Sequence, residues 1–74
     1  MKIYVVCFKD EEDLEAFSSL ESAIEYGVTL IEECADRYLS DDDDVEEVIE
    51  NFRKYEYTDM PEFDISIYHL TLNE

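Results

Sequence analysis

Carboxylates are the one chemically active side-chain type this chain has in quantity. Asp and Glu account for 22 of its 74 residues, against five Lys or Arg, and the formal net charge is −17. With so many acids, two at a spacing suited to acid–base catalysis arise by chance, so such spacing carries no weight. No Ser/His/Asp or Cys/His pattern, glycine-rich phosphate loop or cofactor fingerprint accompanies them. His69 is the single histidine, and one His without a ligand set reads as structural. An EF-hand loop requires spaced Asp ligands, a Gly for the turn and a later bidentate Glu. The run Asp41 to Asp44 has neither the Gly nor the spacing, so only loose condensation of divalent cations is expected there. The sequence therefore predicts no catalytic residue, no metal site and no cofactor.

What the acids do have is order. At 3.6 residues per turn, Glu21, Glu25, Glu32 and Asp36 fall within an arc of roughly 60° along roughly 22 Å of helix. One i to i+4 step rises about 6 Å, a scale on which carboxylates can replace successive phosphates. A solvated helix face usually carries Lys at i+4 from its acids, and this stripe has none. A second cluster, Asp41, Asp42, Asp43 and Asp44 with Glu46 and Glu47, is the densest in the chain. One or two of these acids suffice to cap a helix and meet its positive end. Six exceed that need and repel one another. A third group, Asp10 to Asp13 with Glu15, reads as an ordinary charged turn.

The elements that must position these groups are legible from periodicity. Residues 2–9 are β-branched, aromatic and apolar on both parities, which predicts a central strand or one covered on two faces. Asp10 to Asp13 makes a turn, and Leu14 to Phe17 a second strand paired to the first. Ser18 and Glu21 have capping-box spacing, and Ser19 is an equally good cap. An amphipathic helix runs from Leu20 to about Leu39. Gly27 lies on its apolar side, a place for another element to pack closely. A second helix spans about Asp42 to Tyr55, with Val45, Val48, Ile49, Phe52 and Tyr55 on one face. Glu56 to Glu62 reads as a loop, and Phe63 to Leu72 as the third strand. The predicted fold is α+β in the order β-β-α-α-β: one domain over residues 1–74, with a three-stranded sheet, strand one central, and two antiparallel helices on one face. Pattern leaves the direction of strand three open. Two helices cover only one face of such a sheet, and strand one is apolar on both. A second copy or a partner is expected to cover the other face.

Composition bounds the setting. Hydrophobic residues make up 46% of the chain, enough for a core and unlike a disordered acidic tail. The apolar run Ile3 to Phe8 is too short for a signal-peptide core or a membrane span, and a cytoplasmic protein is expected. Cys7 and Cys34 read as reduced, buried thiols. Tyr26 and Tyr57 read as contact residues; Tyr4, Tyr38 and Tyr55 read as core-edge residues. The charge repels nucleic acid and anionic lipid, so the expected partners are basic protein surfaces. A compact domain of this length is roughly 28 Å across. A duplex segment that long carries about 16 phosphate charges, close to the charge of this chain.

The opening strand Lys2-Ile3-Tyr4-Val5-Val6 and the helix start Phe17, Ser18, Ser19, Leu20, Glu21, Ser22 and Ala23 resemble those of short phage and mobile-element open reading frames. That resemblance covers about a third of the chain and implies an α+β fold in a phage-like setting. In charge and size the chain also resembles the DNA-mimic inhibitors that phages direct at host nucleases, of the anti-CRISPR, anti-restriction and uracil-glycosylase-inhibitor kinds. This second likeness implies a non-enzymatic inhibitor whose acids fill a Lys/Arg-lined cleft. The alternative is an acidic interaction module of a phage accessory kind, binding through an apolar sheet face.

Overall fold

Register, which sequence periodicity leaves open, decides how the layers of this protein are assembled. The computed structural model describes residues 1–9, 12–38 (Tyr38 by its backbone only), 44–58 and 63–72. β1 (Lys2–Phe8) is the central strand, with β2 (Asp13–Phe17) and β3 (Ile65–Thr71) on either side, in the order β2-β1-β3. Both neighbours run antiparallel to β1, which fixes the direction of the third strand. With α1 (Leu20–Tyr38) and α2 (Val45–Tyr55) the order is β-β-α-α-β, and the α+β architecture is the predicted one.

The pairing sorts β1 by parity. Tyr4, Val6 and Phe8 stand opposite Phe17, Glu15 and Asp13 on β2, and opposite His69, Ile67 and Ile65 on β3. This face meets the helices. Val6, Phe8, Ile65 and Ile67 join Ala23, Val28, Ile31 and Cys34 of α1, Phe52 of α2, and Phe63 in one buried core. The Phe8 and Phe63 rings meet edge to face at 5.4 Å, a favoured aromatic geometry. Gly27 is the only glycine of the chain. The Phe52 ring lies directly over it, and a Cβ at this position would sit 2.2 Å from Phe52 Cζ. The glycine therefore sets how closely α2 approaches α1.

Polar caps define the element ends. Ser19, not Ser18, caps α1: its Oγ accepts from Ser22 N–H at 3.2 Å. α2 begins at Val45 rather than Asp42, because Asp44 Oδ1 accepts the amides of Glu46 at 3.0 Å and Glu47 at 3.4 Å. Such a cap contributes about 1 kcal/mol over Ala. Glu56, at φ 65°, closes α2 in the left-handed conformation, donating its N–H to Phe52 O at 2.7 Å.

The segment after α2, expected to be loop, instead borders β3. Ile67 N–H donates to Glu56 O and Thr58 N–H to Ile65 O, both at 2.9 Å. Buried Thr58 donates its hydroxyl to Phe63 O and accepts Ile65 N–H at 2.9 Å. These bonds turn Phe63 into the core, so β3 starts at Ile65 and not at Phe63. The expected turn at Asp10 and Glu11, the end of the first helix at Leu39, and the rest of the loop at residues 59–62 lie outside the described residues. The molecule measures 47 × 22 × 17 Å, a rod rather than the ball expected. A duplex 47 Å long would carry about 28 phosphate charges, so the charge match to DNA is looser than a spherical shape implies.

Candidate functional site

α1 presents the predicted stripe to solvent, since Glu21, Glu25, Glu32 and Asp36 are all exposed. Their apolar neighbours Ala23, Val28, Ile31 and Cys34 are drawn into the core, and this leaves the acids along the edge of the helix's apolar face. The stripe is not a free ridge throughout. Arg53 reaches across from α2 and donates from Nη1 to Glu25 Oε1 at 2.8 Å. That hydrogen bond, and behind it the charge of Glu32, raises the Arg53 guanidinium further above its ordinary value. The stripe therefore follows the seam between the two helices.

α2 adds Glu46, Glu47 and Glu50, all exposed. With Asp44 and Asn51 they line a shallow depression near the start of the helix. The Asp44 carboxylate is engaged as the cap, so part of the predicted cluster holds the helix rather than facing a partner. Asp41, Asp42 and Asp43, also predicted site residues, lie outside the described residues. Among the described residues no Lys or Arg forms an ion pair with Glu21, Glu32, Asp36, Glu46, Glu47 or Glu50. Also among them, no group of three or more His, Cys, Asp or Glu side chains is arranged to hold a metal ion.

The third acidic group, expected as an ordinary charged turn, adjoins α1 through Asp13 and Glu15. Tyr26, expected to be a surface contact, is half-buried and donates its hydroxyl to Asp13 Oδ2 at 2.7 Å. The hydrogen bond to Asp13, then burial and the charges of Asp13, Glu15 and Glu33, push the phenol up to about 12. Asp13 and Glu15 reach this side because they pair with Phe8 and Val6. The parity of β2 would have revealed them once the hairpin register was known. His69 Nε2 stands 3.0 Å from Glu56 Oε1 and packs edge-on to Tyr4, with ring centroids 5.0 Å apart. These contacts tie α2's end to the sheet.

The opposite face of the sheet is of another kind. Ile3, Val5 and Cys7 align there with Leu14 and Ala16 of β2 and with Ser66, Tyr68 and Leu70 of β3. None of these is charged. Leu14 is 65% exposed, Tyr68 48% and Leu70 49%. Tyr57 bridges Ser66 from beyond β3 and is also well exposed. Tyr55, expected at the core edge, stands out in solvent beside it. Cys7 is half-buried on this face and Cys34 buried beneath the helices. The two thiols are thus on opposite sides of the sheet, and only one is enclosed as expected. Lys9 and Asp64 pair at 3.5 Å at one end.

No protein-family model, curated protein or solved structure matches this chain. Among the described residues no helix is long and apolar enough to cross a membrane.

Proposed function

We propose that this protein is a non-enzymatic inhibitor of a basic nucleic-acid-binding protein, acting as a phosphate-backbone mimic. In this reading its helical layer enters a Lys/Arg-lined cleft of a host-defence nuclease or a CRISPR effector in the host cytoplasm. The observation that carries the reading is segregation of charge. Glu21, Glu32 and Asp36 on α1 and Glu46, Glu47 and Glu50 on α2 are exposed and without a basic partner among the described residues, while the strands' other face is uncharged. A carboxylate array of this kind steers association with a basic cleft and makes it strongly salt-dependent. It also repels nucleic acid, which would compete for the same cleft.

The test begins with a target captured on the immobilised protein at low salt. Changing Glu25, Glu32 and Asp36 together to Lys is expected to abolish inhibition. All three are exposed, and a solvent-exposed pair such as Glu25–Arg53 contributes little to stability, so the fold remains. Glu12→Lys, at the hairpin, is expected to have little effect. Nucleic acid is expected to displace the protein from its target. Full inhibition by the triple variant, or no displacement, would refute the mimic. The alternative, an interaction module that binds through the open sheet face, would then stand on the exposure of Leu14, Tyr68 and Leu70.

A further inference from the structure

We infer that the open face of the sheet is the seat of a second copy of this chain, forming a two-fold dimer with the sheets back to back and the helices outside. The inference is independent of the proposed inhibition. Its first ground is chemical. In a chain of net charge −17, the residues of this face that lie in the strands are apolar or neutral. Its occupant must therefore be flat, apolar and uncharged. Apart from the Lys9–Asp64 pair at one end, a basic target finds nothing here to pair with. The same face of another copy has every one of these properties, and a two-fold axis makes it self-complementary.

The second ground is area. Three strands at standard spacing and rise give an outline of roughly 14 by 23 Å. With side-chain relief and Tyr57 at the margin, each copy offers on the order of 500 Å², so a pair buries on the order of 1,000 Å², the lower bound for a specific interface. Aligned sheets of this kind pack about 10 Å apart.

The third ground removes the objection from charge. A sheet spacing of about 10 Å, with a helix layer of similar thickness outside each sheet, sets the two acidic layers about 30 Å apart. That is more than three Debye lengths at physiological salt, where the length is about 8 Å. Face-to-face pairing therefore joins the apolar surfaces while keeping the acidic layers as far apart as the fold permits. Any pairing through the helical layer would bring them together.

Sedimentation equilibrium from low-micromolar to near-millimolar protein, at physiological salt, tests this. The expected result is a concentration-dependent rise from the 8.8 kDa chain mass to twice that mass. Alkylation of Cys7 is expected to slow as concentration rises, while buried Cys34 stays slow throughout. Tyr68→Lys with Leu70→Lys, both half-exposed on an edge strand, is expected to keep a native far-UV spectrum and to be monomeric with concentration-independent Cys7 reactivity. Leu14→Lys on the other edge serves if that pair fails to fold. Glu46→Lys with Glu47→Lys is expected to leave the dimer intact. A monomer at every concentration, dimers that survive the sheet-face lysines, or dimers lost with the helical lysines would each overturn the inference.

Discussion

Replacing Gly27 with Ala tests the contact that holds the two acidic helices in register. Gly27 is buried within α1, and the fully buried Phe52 ring lies over it. An added Cβ would meet Phe52 Cζ at 2.2 Å and Cε2 at 2.4 Å, where ordinary contact begins at 3.4 Å. The ring must retreat by more than 1 Å, or α2 must move away from α1, carrying Arg53 from Glu25. Ala itself suits the helix, since Gly27 has no positive φ, and its propensity returns about 1 kcal/mol. Overpacking a close-packed site costs about 1–3 kcal/mol. The net expectation is a loss of up to about 2 kcal/mol, or up to roughly 15 °C in Tm for a domain of this size. Thermal and urea unfolding of the variant measure it. Phe52→Leu makes room for the new methyl group, so the double variant should lose less than the sum of the singles, a coupling of about 0.5–3 kcal/mol. If Gly27→Ala raised Tm, propensity alone would be acting, and the close approach of Phe52 to Gly27 would be refuted.

Two further predictions follow from the hydrogen bonds of Tyr26 and Thr58. The Tyr26 phenol, held at about 12 by Asp13 and burial, stands above the ordinary tyrosine value of about 10. A raised folded value contributes stability that is complete below about pH 10 and is lost as pH rises through about 12. Tyr26→Phe should therefore lose stability less steeply than the wild type across that window, as read from Tm at stepped pH; parallel curves would refute the assignment. Thr58→Val keeps the shape of the side chain but leaves Ile65 N–H and Phe63 C=O without the hydroxyl. It should cost about 1–3 kcal/mol in urea unfolding, whereas Thr58→Ser should stay close to wild type; equal stability of the two would show that the hydroxyl does not anchor β3.

Local periodicity was enough to determine the elements and their faces. The three- and four-residue steps from Leu20 onward determined α1 and put Glu21, Glu25, Glu32 and Asp36 on one side of it. The doubly apolar Ile3 to Phe8 marked a central strand, and Gly27 on an apolar helix side marked a close approach. These features repeat within one element, where side-chain direction follows from the backbone alone. What periodicity cannot carry is which partner meets each face. The antiparallel course of β3, and the choice of Tyr4, Val6 and Phe8 for the core over Ile3, Val5 and Cys7, come from pairing register between distant strands. Arg53 entered the acidic stripe because the Phe52–Gly27 contact set α2 against α1. Tyr26 turned from surface to half-buried because the hairpin register aimed Asp13 at it. Each of these depends on two segments at once, so only tertiary packing could decide them.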